Sequence, residues 1–198
     1  MLKITRLISL IAFFVFMIIS CATTDITSVW KDDSYSGNAD KIFIIGAAQK
    51  PGIRKMFERE FVNQLKSQGI YAVASNEHIP EDKMLDKDVI VSKIRELDVN
   101  SVLVTRLLEK KHIVRQIPGY YSNWLHYYKE SYESSCPRGY NCEDIAAIET
   151  NLYEVKTEKL IWSAISETDL KGGSYTLIKE FITSIIKGLS EGNVLQKS

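Results

Sequence analysis

The sequence predicts an α/β (α+β) fold, a two-layer mixed sheet of about five strands in the order β-α-β-α-β-β-β-α with helices packed on the sheet. Ile42-Phe43-Ile44-Ile45 is a continuous apolar run ending at Gly46, the pattern of a strand buried on both faces. Phe57, Phe61 and Leu65 recur every four residues, and Leu177, Ile178, Phe181, Ile182, Ile185, Ile186 and Leu189 form a wide stripe on a last helix. Both stripes require a sheet face to cover them. Ile145 to Lys156 is joined to Leu160 through Ser166 by the short turn Thr157-Glu158-Lys159, so that pair is an antiparallel hairpin.

The first twenty residues carry Lys3 and Arg6, then an uncharged apolar run from Leu7 to Ile19, then small Ser20 before Cys21. This is the layout of a signal peptide. The thirteen-residue run spans roughly 20 Å as a helix, short of a bilayer core of about 30 Å, so an uncleaved anchor helix ending at Cys21 is the weaker reading. Residues 21–40 are polar and rich in Ser, Thr, Asp and Gly, a tether interrupted only by Val29 and Trp30, and Trp30 is expected to dock on the edge of the folded body.

A single domain is expected over 41–198. After the strand Lys41 to Ala48, a helix between Gly52 and Gly69 carries Phe57, Phe61 and Leu65 with Met56 and Val62 beside them, and Gly69 supplies the left-handed stop. Tyr71 to Ala74 is the second strand. Asp86 to Leu97 places Val89, Ile90, Ile94 and Leu97 on one helical face, with Asp86 as N-cap. The third strand runs from Ser101 to Leu108 and onward toward Val114; a loop at 117–143 then precedes the hairpin and the last helix. Gly172-Gly173-Ser174 lacks the strand and full glycine spacing of a phosphate loop and is expected to be a turn and N-cap.

Removing Lys3 and Arg6 from 25 basic side chains leaves 23 against 25 acidic, a balance that excludes strong nucleic-acid attraction. With Cys21 set aside, two of the three cysteines remain, Cys136 and Cys142 in CPRGYNC. An even remainder in an exported chain predicts a disulfide, and Pro137 and Gly139 supply the tight turn. Their spacing matches no zinc motif, so neither metal nor cofactor is expected.

Two resemblances carry the reading further. Ile18-Ile19-Ser20-Cys21 resembles the lipobox of bacterial lipoproteins. That likeness implies cleavage before Cys21, a diacylglyceryl group on its sulfur and acylation of the new amino terminus; Ala22 at the second position resembles the signal for the outer membrane. Val29-Trp30-Lys31-Asp32, Ile42 to Gly46, Arg54 with Phe57-Glu58, Leu65 to Gly69, Ala74-Ser75, Asp98 to Arg106, Asn151-Leu152-Tyr153 and Lys159-Leu160-Ile161-Trp162-Ser163 follow one another over most of the mature chain. In that order they resemble the lipoprotein family of unknown function DUF4136. The implied setting is the cell envelope, on the periplasmic side.

Tyr120, Tyr121, Trp124, His126, Tyr127, Tyr128 and Tyr132 crowd between Pro118 and Cys136. Such rigid aromatics with polar tips suit contact with an envelope protein or with the sugar rings of peptidoglycan. Equally, the flanking strands can extend into a long hairpin whose aromatics pair across it, pinned by Cys136 and Cys142. The histidines His78, His112 and His126 fall in no triad or elbow motif, and Glu58, Glu60, Glu149 and Glu154 lie beside basic residues as on solvated faces, so no catalytic residue is assigned. Ser163 and Ser166 follow strand alternation. The expectation is a non-catalytic, membrane-anchored binding or assembly module. The alternatives are an envelope-acting hydrolase and a subunit of an outer-membrane-associated assembly.

Overall fold

Ile42 and Ile44 point to one face of the sheet and Phe43 and Ile45 to the other, and this alternation in one buried strand organises two apolar clusters. The structure, a computed structural model, describes residues 23–116 and 140–195. Its strands are β1 (Thr24–Lys31), β2 (Lys41–Ala47), β3 (Tyr71–Ala74), β4 (Ser101–Gln116), β5 (Tyr140–Glu154) and β6 (Leu160–Asp169). Its α-helices are α1 (Pro51–Ser67), α2 (Ser75–His78), α3 (Lys87–Glu96) and α4 (Ser174–Glu191). The sheet order is β1-β6-β5-β4-β2-β3, with β2 parallel to β3 and β4 and the remaining pairs antiparallel. The mixed α/β architecture expected from the sequence is therefore present.

Helices α1 and α4 cover one face. Phe57, Phe61 and Leu65 from α1 and Phe181, Ile182, Ile185, Ile186 and Leu189 from α4 pack on Ile42, Ile44, Leu103, Leu152 and Trp162. The Phe57 ring meets Phe61 at 5.6 Å and Phe181 at 5.9 Å between centroids. Helix α3 lies on the opposite face, where Val89, Ile90 and Ile94 cover Phe43 and Val73. A third layer thus sits over the β3-β2-β4 end. Asp86 caps α3 by accepting from Asp88 N and Val89 N, and Gly69 takes φ of 81° after α1, both as expected. At α4 the N-cap is Gly173, with no side-chain bond.

The polar tether expected over 21–40 is corrected by β1 and by the residues after it. Thr24–Lys31 is an edge strand paired with β6, which raises the strand count from five to six. Ala39 is fully buried and pairs with Leu195, and Asn100 Nδ2 donates to Asn38 O and Asp40 Oδ1. The strand escapes a period-two search because the register shifts between Ile26 and Ser28, so Ile26 faces the core while Val29 and Trp30 stay about half exposed. Trp30 lies within β1 opposite Ser163.

The loop expected over 117–143 is also shorter, because β4 runs to Gln116 and β5 begins at Tyr140. The two strands pair along their whole length, with one bulge at Leu108. Residues Ile113 to Gln116 and Tyr140 to Glu143 continue past the end of β6, so among the described residues this stretch of hairpin has no third strand beside it.

Gly46 ends the buried part of β2 under α1. A Cβ there would stand 2.9 Å from Phe57 Cδ1, closer than carbon atoms approach without repacking. Gly46→Ala should lower stability by about 1–3 kcal/mol, seen as a lower urea midpoint at unchanged slope.

Candidate functional site

Two places concentrate polar groups on the scaffold. The first lies past the carboxyl ends of the parallel strands β2 and β3, where open α/β sheets commonly hold ligands. Positions 54, 58, 61 and 65 share one side of α1, so Glu58 sits among the core phenylalanines and is fully buried. Its Oε1 accepts from Gly46 N at 2.9 Å, Arg54 Nε at 3.0 Å and Ser75 Oγ at 2.7 Å. Its Oε2 accepts from Asn76 N at 2.7 Å and from Asn76 Nδ2. Five donors saturate a carboxylate that offers about four lone-pair sites. No acceptor is left for a substrate, and the chemistry here is a clamp that ties α1 to the ends of β2 and β3 and to the start of α2. The solvated-face reading of Glu58 is thereby corrected; the ion pair with Arg54 stands, but it is buried.

The second place is the end of the sheet at which β1 begins. Thr23 O accepts from Asp169 N at 2.9 Å, and Thr23 Oγ1 donates to Glu180 Oε2 on α4. Thr24 and Thr168 hydroxyls meet at 2.9 Å, and Leu170 N donates to Asp144 O at 2.7 Å. Several polar side chains at this end meet in pairs: Lys111 with Glu109 at 3.0 Å and Glu167 at 3.2 Å, His112 Nδ1 with Asp144 at 2.7 Å, and Lys171 with Asp169 at 3.5 Å. Hydrogen bonds to Glu109 and then Glu167 hold the Lys111 ammonium above the usual lysine range, so it stays charged at neutral pH. From this end the β4–β5 hairpin projects.

At the opposite end, a shallow hollow of about 300 Å³ is lined by residues including Asp32, Tyr35, Glu154, Thr157 and Lys159. Its polar groups are engaged with one another. Ser34 donates to Asp32 from its hydroxyl and its backbone N–H and holds that carboxyl below the usual aspartate range. Thr157 Oγ1 donates to Glu154 Oε2, and burial pushes the Tyr35 hydroxyl up.

Of the residues singled out from the sequence, Cys21, Cys136, Tyr120, Tyr121, Trp124, His126, Tyr127 and Tyr128 lie outside the described residues. Cys142 is on β5 opposite Val114. His78 ends α2 and is half-buried, and Ser166 is buried with its hydroxyl on Ile148 O at 3.3 Å. Among the described residues no three His, Cys, Asp or Glu side chains are placed to hold a metal ion, and no helix is long and apolar enough to cross a membrane. Sequence reasoning named Arg54 and Ser75 only as carriers of a likeness, and gave Glu58 a solvated face besides. The available signal was a glutamate on the helix stripe occupied by Phe61 and Leu65.

No family model matches the chain, and no curated protein matches it. Solved structures similar to it include the PelC dodecamer from Paraburkholderia phytofirmans, at 14% identity and a TM-score of 0.49, covering 85% of this chain and 98% of that one. Another is lipoprotein GNA1162 from Neisseria meningitidis, at 10% identity and a TM-score of 0.43, covering 76% of this chain and 98% of that one.

Proposed function

We propose that this chain is a non-catalytic bacterial envelope lipoprotein, held by fatty acyl groups on Cys21 at the outer membrane and facing the periplasm, where it binds another envelope component. The observation that carries the reading is Ile18-Ile19-Ser20-Cys21, a lipobox-like tetrapeptide closing an apolar run too short to span a bilayer. Each buried methylene contributes about 0.8 kcal/mol, so several acyl chains make release negligible. The residues that resemble the DUF4136 lipoproteins point the same way. Mass spectrometry of the protein from its own host tests it: the expected product begins at Cys21 and carries diacylglyceryl and amide-linked acyl groups. An intact leader, or Cys21 without fatty acyl groups, overturns it.

The binding element in this reading is the chain carried by the β4–β5 hairpin, with Tyr120, Tyr121, Trp124, His126, Tyr127 and Tyr128 as its contact residues. Shortening that segment should abolish capture of its partner, whether an envelope protein or peptidoglycan; capture unchanged for both rules the segment out. A Cys136–Cys142 disulfide pins the base of the segment. Its reduction should lower stability by about 2 kcal/mol, as expected for so small a ring. Alkylation of both thiols in the unreduced, denatured protein would show that the bond is absent.

The edge strand favours a second reading, a subunit of a membrane-associated assembly. β1 pairs only with β6 among the described residues, and Val29 and Trp30 are about half exposed along it. A monomeric size for the detergent-solubilised protein would remove this reading.

A further inference from the structure

The position of Thr23 fixes how close the folded body lies to the lipid. Thr23 is bound to the domain through its carbonyl and its hydroxyl, by Asp169 N and Glu180 Oε2. Only Ala22 separates it from Cys21. Two peptide steps reach at most about 7 Å, so no tether lifts the domain off the bilayer.

The same end of the sheet carries the β4–β5 hairpin. Strand β6 is antiparallel to both β1 and β5, so β1 and β5 run in the same direction and both begin at this end. Asp169, which binds the Thr23 carbonyl, pairs with Ile145, and β5 extends five residues further out, to Tyr140. Those five residues span about 17 Å. Two strand steps of about 20–25° of twist separate β1 from β5, which still leaves a projection of about 12 Å along β1. That reach exceeds the leash of about 7 Å by roughly the thickness of one headgroup layer.

We propose that the outer end of the described part of the hairpin, Ile113–Gln116 with Tyr140–Glu143, rests on the lipid headgroups of the bilayer that holds Cys21. This rests on the lipoprotein reading and names the bilayer as the hairpin's partner. Three features of the stalk fit that occupant. Among the described residues this stretch is a two-stranded ribbon, which by itself is marginal in water, yet β4 is 16 residues long, well beyond the usual five or six. Val114 is 46% exposed and lies next to half-buried Ile113, so both faces of the ribbon present an aliphatic side chain. His112 Nδ1 and Asp144 Oδ1 meet at 2.7 Å on the last rung before the ribbon leaves the sheet, so these two polar groups are bonded to each other there.

The test uses the full lipidated protein in phospholipid vesicles containing a lipid with a nitroxide quencher on its headgroup. A fluorescent amino acid replaces Val114 in one sample and Glu158, in the turn at the far end of β6, in another. Nine residue steps along β6, about 30 Å, separate the two ends. Quenching at position 114 is expected to exceed that at 158 at least two-fold. Equal quenching at the two positions, stronger quenching at 158, or none at 114 overturns the inference, and the last points to a protein or peptidoglycan partner. Hydrogen exchange of the unsubstituted protein gives a second measure: vesicles should slow exchange at 113–116 relative to the delipidated domain, and unchanged exchange there would count against the contact. The mass of the same sample reports whether Cys21 is acylated, so failure of the anchor and failure of the hairpin contact are told apart.

Discussion

Glu58→Ala should lower the free energy of unfolding by about 3–5 kcal/mol, read from the urea midpoint of the domain. Removing the carboxylate strands several groups at once. Arg54 is 8% exposed and loses its ion-pair partner, while Gly46 N and Ser75 Oγ lose an acceptor in a fully buried setting. Each buried donor left unpaired costs about 1–3 kcal/mol, more for a charge. Whole-domain stability is typically about 5–15 kcal/mol, so the variant should approach the limit of folding. Glu58→Gln keeps the volume but not the charge and should also be strongly destabilised. The apolar double variant Arg54→Met with Glu58→Leu should recover part of the loss, because it removes the stranded cation together with its partner. A loss below about 1 kcal/mol for Glu58→Ala would mean that the clamp contributes little.

Trp162→Ala should cost about 3–5 kcal/mol by the same measurement. The indole is fully buried and lies under α4 in a slot made by two glycines. A Cβ at Gly188 would stand 3.4 Å from its ring, and one at Gly192 would stand 3.3 Å from Trp162 Cδ1 and Nε1. Glycine at both places lets the helix backbone approach the ring, so truncating the ring opens a cavity that the rigid helix cannot collapse to fill. The indole N–H finds no acceptor among the described residues. Trp162→Phe should therefore lose less than about 2 kcal/mol, because it removes an unpaired buried donor along with some volume. Equal losses for Phe and Ala would contradict this account of the slot.

Buried strands and wide helical stripes were legible because burial on two faces demands uninterrupted apolar residues. Ile42 to Ile45 and Phe181 to Leu189 meet that demand wherever the rest of the chain lies. The Asp86 cap and the turn at Gly69 were legible for a similar reason, since their chemistry is local. Strand β1 was not, because an edge strand has one partner and one half-covered face, and its bulge breaks the alternation that would mark it. Glu58 was quoted from the sequence but given a solvated role, since its donors outside α1 come from β2 and α2, at separations in sequence of 12 to 18 residues for Gly46, Ser75 and Asn76.

By itself the sequence determined the mixed fold class, the core faces and the lipobox-like tetrapeptide, all of which depend on residue type at short spacing. Only the tertiary structure decided that residues from Thr23 onward belong to the folded body, that Glu58 is a saturated clamp, and that β1 and the β4–β5 hairpin start from the same end of the sheet. Those properties depend on which distant segments pair, and strand pairing at an edge leaves almost no periodic signal along the chain.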